Sequence, residues 1–209
     1  MFDYAVRDAD QALADLKAEL GINDTDDDEA LETAIEAASR QCDDYTGRRF
    51  WQDAAVVARV YEPEDPYCLY VDDISTTTGL VVKIDADGSG TYETTLTLGT
   101  DFRLEPANAA AEYPVRPYTE LEIIRSRSAY YWPTGYDDVT VQVTAKFGWP
   151  AVPEQVAKAC RIQALQLFKA KDAVFGALAM GDGTALRVKA NLNPMAEALL
   201  AAYRKPSVG

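Results

Sequence analysis

The sequence of 209 residues contains no histidine, and this absence removes several kinds of chemistry. Ser-His and Cys-His nucleophile systems need an imidazole base, and imidazole is the commonest metal ligand in proteins. The three cysteines, Cys42, Cys68 and Cys160, are odd in number and far apart in the chain. Neither a disulfide framework nor a zinc site fits that spacing, so we expect buried free thiols.

The chain also lacks long apolar runs, a signal sequence and nucleotide-binding motifs. No window reaches the roughly 18 apolar residues of a membrane span, and no basic-then-apolar segment opens the N-terminus. We therefore expect a cytosolic or assembly-bound protein. A Walker loop, GxGxxG and GxSxG are all missing. Adjacent acids leave paired-carboxylate hydrolysis as an enzymatic alternative, but such acids are usually solvated, and we expect no enzyme and no cofactor.

Basic residues are scarce, since 20 Lys and Arg face 34 Asp and Glu, for a net charge of −14. The excess of acid lies in residues 1–150, whereas residues 151–209 carry 8 basic and 4 acidic residues. An acidic body argues against a grip on nucleic acid, which needs clustered Lys and Arg. It is compatible with a surface that DNA passes without sticking, and equally with a role in solubility alone.

Three helices are predicted from apolar stripes at helical spacing. The first runs through Leu13, Leu16 and Leu20, after a capping box formed by Asp8 and Gln11. We interpret the acids at 24–29 as capping and dipole compensation for the second helix rather than as a cation site. The apolar stripe of the second helix is Leu31, Ala34, Ile35, Ala38, Cys42 and Tyr45, and Gly47 ends it. Two short helices bury too little surface alone, so the third, over 153–175, is expected to be a third wall.

Between the helices the pattern changes to β-strands separated by Gly, Pro and Asp clusters. The strand candidates are 56–61, 68–71, 80–84, 94–98, 121–124 and 139–147, with an edge strand at 101–106. Two long loops cover 107–118 and 126–137. The second is rich in aromatics that either face a partner or fold back over the sheet, namely Tyr130, Tyr131, Trp132 and Tyr136.

The segment that begins Asp85-Ala-Asp87 has the only pattern that suggests a metal. An EF-hand loop needs oxygen ligands at positions 1, 3 and 5 and a bidentate Glu at position 12. Here position 5 is Ser89 and position 12 is Leu96, which falls in a predicted strand. We interpret the segment as a hairpin turn, with Asp85 and Asp87 as the metal alternative.

A proline-punctuated corner joins the last long strand to the third helix. Gly148, Trp149 and Pro150 stop the strand, and Pro153 suits the first turn of the helix. After a glycine break, a basic C-terminal arm over 183–209 is predicted, opposite in charge to the body and suited to docking on a neighbour. Within the arm, Asn193 is expected to cap a last helix, with Pro194 at its first position. The arm's candidate docking residues are Leu186, Arg187, Val188, Lys189, Pro194, Leu199, Tyr203 and Arg204.

Three segments, in this order along the chain, carry a family resemblance. They are AIEAASRQCDDYTGRRFW (34–51), VTVQVTAKFGWPAVPEQVAKACRIQALQLFKAKDAVFG (139–176) and NPMAEALLAAYRK (193–205). They resemble the head–tail connector proteins of tailed bacteriophages, also called adaptor or head-completion proteins. The resemblance covers most of the chain and is strongest from the strand through the corner into the helix. It implies a structural virion protein with no catalytic residues, assembled in the host cytoplasm.

The resemblance also implies an architecture and partners. The fold class is α+β, with an antiparallel helical bundle, a large β-rich insertion and a C-terminal arm. The helical connector core would comprise 1–53 and 147–182, the insertion 54–146 and the arm 183–209. Such proteins form a ring, typically of twelve copies, under the portal protein, and extend the DNA channel toward a next connector, a stopper or the tail. The alternative is a tail or baseplate β-module that binds a glycan or Ca²⁺.

Overall fold

The computed structural model describes residues 9–135, 138–170, 177–179, 185–187 and 191–205. Within these ranges the chain forms four α-helices, a six-stranded antiparallel sheet and a separate strand pair, so the fold class is α+β. None of the described helices is long and apolar enough to cross a membrane. The chain divides into two compact units, Met1–Trp51 with Val152–Gly209, and Gln52–Ala151. We refer to them as the helical unit and the sheet unit.

The helical unit is assembled from both ends of the chain. Its elements are α1 (Ala9–Leu20), α2 (Asp28–Thr46), α3 (Glu154–Ala170), the short strands β7 (Ala177–Ala179) and β8 (Ala185–Arg187), and α4 (Pro194–Leu200) with a 3₁₀ turn at Ala201–Tyr203. The apolar stripes predicted for the first two helices meet those of α3 in one core of Leu16, Leu31, Ala34, Ile35, Ala38, Ala164 and Phe168. The third wall predicted from the sequence is therefore present.

The two ends of α2 differ in how far they follow the prediction. At the C-terminal end, Gly47 has a left-handed φ of 65° and its N–H donates to the carbonyl of Asp43 at 2.8 Å, as expected of a glycine stop. At the N-terminal end, Asp28 and Glu29 lie in the first turn, where the helix dipole favours negative charge. The expected side-chain capping is wrong at the N-cap residue, Asp27, whose φ and ψ of −101° and 0° do not have the extended shape that capping needs.

The sheet unit contains β1 (Val57–Tyr61), β2 (Cys68–Ile84), β3 (Thr94–Leu96), β4 (Phe102–Glu105), β5 (Tyr118–Ile123) and β6 (Val141–Phe147). The strand order is β1-β6-β2-β5-β4, with β3 paired to the end of β2. The predicted edge strand is confirmed, because β4 lies at one edge and ends before Pro106. β6 alternates buried and half-buried residues over its whole length, as its β-branched and polar alternation predicts.

One strand prediction was too short. The separate candidates 68–71 and 80–84 are the two ends of a single 17-residue strand, β2. Its register with β6 shifts twice, between Ile74 and Thr76 and between Thr76 and Val81. Gly79, with a φ of 80°, sits within the second shift, so β-bulges absorb the residues that we interpreted as a break.

The core of the sheet unit is continuous along one face of the sheet. Its buried members come from all strands of this sheet except β1, and Trp132 from the loop before β6 joins them. They are Leu69, Val71, Ile74, Val82, Ile84, Leu96, Phe102, Leu104, Leu121, Ile123, Trp132, Val141, Val143, Ala145 and Phe147. This core fixes the loops and corner that carry the candidate surfaces.

Candidate assembly surfaces

The corner after β6 is held inside the sheet unit by Asp73. Gly148, at a φ of 99°, donates its N–H to the carbonyl of Asp73 at 2.7 Å. The indole Nε1 of Trp149 donates to the Asp73 carboxylate at 3.1 Å, and both side chains are buried. Pro150, half-buried, follows directly. The sequence prediction of the corner did not include Asp73, because an acid in a strand gives no sign of its distant partner.

The last residue of the corner determines where α3 begins. The carbonyl of Pro153 accepts from the N–H groups of Val156 and Ala157, both at 3.0 Å. The helix therefore starts at Glu154, and Pro153 lies just before the first turn rather than within it. A proline at this position still costs no intrahelical hydrogen bond.

The aromatic loop before β6 divides into a buried and an exposed part. Trp132 is fully buried, packs against Phe102 at 6.3 Å between ring centroids, and donates its indole N–H to the Tyr67 carbonyl at 3.1 Å. Its assignment as a partner-facing residue is therefore wrong. Tyr130 and Tyr131 are 42% and 63% exposed and remain candidates for a partner contact. Tyr136 lies outside the described residues.

The C-terminal candidates are more tightly bound to their own unit than a free arm would be. Tyr203 is buried, meets Phe50 edge to face at 6.0 Å and donates its hydroxyl to Gln155 at 2.5 Å. Its assignment as a docking residue is wrong, because it belongs to the interior of the helical unit. The Tyr203 carbonyl accepts from Arg48 Nε, and the Lys205 N–H donates to the Thr46 carbonyl, both at 2.8 Å.

The start of α4 is also held by hydrogen bonds within the helical unit. The Asn193 side chain accepts from the Met195 N–H at 2.9 Å, as the predicted N-cap should, and Pro194 is the first helical residue. The Asn193 N–H donates to the amide oxygen of Gln163, a fully buried residue of α3, at 2.7 Å. Together these bonds fix α4 on α3.

The remaining docking candidates differ in exposure, and two of them lie outside the described residues. Pro194 and Arg204 are exposed, and the Arg204 guanidinium lies 5.2 Å from the Tyr45 ring. Leu199 is half-buried. Leu186 and Arg187 have their backbone in β8, which pairs with β7. Val188 and Lys189 lie outside the described residues.

The outer face of α2 is acidic. Glu29, Glu32 and Glu36 are all exposed and follow each other at helical spacings of three and four residues. They form one stripe, which we call the α2 acidic face. The opposite side of the helix is buried in the core.

The Asp85 segment is a turn between β2 and β3, as predicted. Asp85 is buried and accepts the N–H groups of Ser89 at 3.1 Å and Gly90 at 2.6 Å. Burial alone would raise the pKa of Asp85, yet these backbone donors outweigh it and hold the pKa below its usual range. Asp87 and Glu93 lie close enough for oxygens of all three carboxylates to fall within 4.8 Å of one another. Glu93 was not among the predicted ligands.

Asp43 is a buried ionisable group that the apolar stripe of α2 does not reveal. Neither of its carboxylate oxygens accepts a hydrogen bond from the described part of the chain, and the Arg40 guanidinium lies 3.6 Å away. Burial raises the pKa of Asp43 to about 7, although Arg40 and Arg49 act against the shift. The neighbouring Asp44 adds to it.

Comparison with known proteins agrees with the resemblance predicted from the sequence. Residues 10–94 match the model of a family described as Phage gp6-like head-tail connector protein. This range contains α1 from its second residue, α2 and the strands β1 and β2, and it ends at the first residue of β3. That description names a structural connector, not an enzyme.

Two solved structures share the fold across nearly the whole chain. One is a chain from the "Neck of empty GTA particle computed with C6 symmetry", at 19% identity and a TM-score of 0.53. The other is from the "Virion of native gene transfer agent (GTA) particle", at 23% identity and a TM-score of 0.52. Each alignment covers 94% of this chain and 90% of the other. No protein with curated annotation matches the chain.

Proposed function

We propose that the chain is a structural head–tail connector, located at the head–tail interface of a tailed bacteriophage virion or a related particle. The observation that carries this proposal is the match of residues 10–94 to the connector family. The shared fold supports it, because the likeness to the neck and virion chains covers 94% of this chain and so extends well beyond residues 10–94.

In this proposal the helical unit is the connector core and the β-rich segment 54–146 is an insertion within it. Copies of the core form a ring under the portal protein, and the ring extends the DNA channel. Twelve copies, which the resemblance implies, would have six-fold symmetry as a subgroup. They are therefore compatible with the C6 symmetry used for the neck that shares this fold.

The α2 acidic face is proposed to line the channel. Negative charge from each copy would repel DNA phosphates and let the duplex slide without being held. The exposed tyrosines of the aromatic loop, Tyr130 and Tyr131, are proposed to contact a neighbouring capsid, tail or connector protein, since exposed aromatics are favoured at interface centres.

Docking to the portal or to an adjacent copy is assigned to the exposed side of the C-terminal segment. Pro194, Arg204 and Lys205 are exposed in this segment, and the positive charge of Arg204 and Lys205 opposes the acidity of the rest of the chain. Tyr203 and the buried side of α4 take no part, because they are occupied within the helical unit.

Co-sedimentation of the purified chain with portal rings of the same virus tests the docking assignment. We expect Arg204→Glu to weaken binding several-fold, and Arg116→Glu, an exposed charge of the sheet unit, to bind as the unchanged chain does. Equal binding by all three proteins would remove the assignment of this surface.

A second candidate function rests on the carboxylates of Asp85, Asp87 and Glu93. Three oxygens within 4.8 Å of one another fit a Ca²⁺-binding turn in a tail or baseplate module. Calorimetric titration with Ca²⁺ distinguishes this candidate from the connector. A Ca²⁺-binding turn gives a heat of binding that Asp87→Asn reduces. A connector with an ordinary turn gives no heat of binding, with or without Asp87→Asn.

A further inference from the structure

Two cysteines of the helical unit meet in its interior. Cys42 on α2 and Cys160 on α3 place their Sγ atoms 3.2 Å apart, although 118 residues separate them in the chain. Both are free thiols and both are buried, at 0% and 2% exposure. The Ser39 hydroxyl lies 3.8 Å from the Cys160 sulfur and completes the surroundings of the pair.

A cleft in this unit is lined by one of the two cysteines, Cys160. It has a volume of about 80 Å³ and is lined by Ala12, Asp15, Leu16, Ile35, Ala157, Cys160, Arg161 and Ala164. Asp15 and Arg161 face each other at 3.4 Å, and their side chains are 45% and 41% exposed, so this side of the cleft is open to solvent. A molecule of the size of water or peroxide fits such a space, whereas a peptide does not.

We propose that Cys42 and Cys160 are an oxidisable dithiol, which hydrogen peroxide converts into a disulfide that joins α2 to α3. The sulfur of Cys160, the cysteine that lines the cleft, attacks one peroxide oxygen and breaks the O–O bond. The departing hydroxide takes the thiol proton and leaves as water, so Cys160 becomes a sulfenic acid. The Cys42 sulfur then attacks the Cys160 sulfur and expels hydroxide, which takes the Cys42 proton and leaves as a second water.

The environment of the pair assigns the two roles. The adjacent Cys160 side chain and burial both raise the pKa of Cys42, so that Cys42 stays protonated at neutral pH. Cys42 therefore suits the second step, in which a sulfenic acid is already in contact with it. The third cysteine, Cys68, lies on β2 in the sheet unit and is the natural internal control.

Peptide mapping of the folded, full-length chain after peroxide treatment tests the proposal. Remaining thiols are alkylated before digestion with trypsin. We expect residues 41–48 linked to residues 159–161, with the intact chain lighter by the mass of two hydrogens. Because a bond that closes a loop of this length constrains the unfolded chain, the Tm should rise by roughly 5 to 15 °C and fall back on reduction with dithiothreitol.

The cysteine variants separate this pair from general thiol oxidation. Cys68→Ser should give the same linked peptide and the same Tm shift, whereas Cys42→Ala and Cys160→Ala should give neither. The proposal is overturned if the unchanged chain, still folded by circular dichroism, yields alkylated 41–48 and 159–161 peptides after treatment. It is equally overturned if the linked peptides contain Cys68.

Discussion

At the scale of single residues, two buried carboxylates have opposite surroundings. Asp73 receives the Trp149 indole N–H on its carboxylate and the Gly148 N–H on its carbonyl. Asp43 is close to Arg40 but accepts no hydrogen bond on its carboxylate from the described residues. A hydrogen-bonded buried acid stabilises the fold at neutral pH, whereas one without such bonds costs free energy when it ionises.

The bond from Trp149 to Asp73 is expected to stabilise the corner. Trp149→Phe keeps an aromatic ring but removes the N–H donor to a buried carboxylate. We expect the free energy of unfolding to fall by roughly 1.5 to 3 kcal/mol, measured by urea denaturation followed by circular dichroism. Trp51→Phe is the matched control, because half-exposed Trp51 keeps its aromatic face beneath Arg40 and Arg49. Equal losses in the two variants would contradict the role assigned to the bond.

The raised pKa of Asp43 predicts a pH dependence of stability with a definite sign. The folded carboxyl stays protonated up to about pH 7, whereas the unfolded one ionises near its ordinary value of 3.8. Between these values the folded state binds more protons than the unfolded state. The contribution of Asp43 to stability is therefore present at low pH, declines as the pH rises from about 4 to about 7, and is absent above that range.

Asp43→Asn is expected to remove this dependence. At pH 8 the variant should be more stable than the unchanged chain by roughly 1 to 3 kcal/mol, because no charge has to be buried. At pH 4 the gain should vanish. Urea denaturation at both pH values measures it, with Glu36→Gln, an exposed acid of the same helix, as the control. A gain that is the same at pH 4 and pH 8 would show that desolvation of the charge is not its cause.

At the scale of elements, α4 is part of the helical unit and not an appendage. Leu200 is fully buried, and Leu200→Ala should lower the free energy of unfolding by roughly 2 to 5 kcal/mol. Met195 on the same helix is 63% exposed, and Met195→Ala should change it by less than about 0.5 kcal/mol. Chemical denaturation of both variants measures these changes. A negligible loss of unfolding free energy for Leu200→Ala would show that α4 does not pack on the helical unit.

The α2 acidic face gives a prediction about DNA movement. Virions whose connector carries Glu32→Lys and Glu36→Lys should release DNA more slowly in vitro, because lysines would hold the passing phosphates. The matched control is Glu62→Lys with Glu64→Lys, two exposed acids of the sheet unit outside the strands. Release rates that are equal for the two pairs would show that α2 does not line the channel.

Much at this scale was predictable from local pattern. The apolar stripes predicted α1 to α3, Gly47 predicted the end of α2, and Asn193 with Pro194 predicted the start of α4. The sequence could not reveal that Trp132 is buried, because its partners, Tyr67 and Phe102, are distant in the chain. Nor could it show that β2 is a single strand, since a bulge and a break contain the same polar and glycine residues.

At the scale of the whole molecule, the chain leaves and re-enters its helical unit around a sheet unit of about a hundred residues. Such an insertion is compatible with many functions, and fold alone does not select one. The connector proposal depends instead on the family match over residues 10–94 and on the shared fold. Ring formation and docking require other chains, so neither the sequence nor a single copy contains their geometry.

The most direct test of the connector proposal is mass photometry of the purified chain, alone and mixed with portal rings, with negative-stain images of the same samples. We predict a closed ring, or a monomer that adds to the portal as a complete ring coaxial with its channel. Arg204→Glu should reduce this addition. A chain that stays monomeric and leaves the mass and outline of the portal unchanged would contradict the proposal.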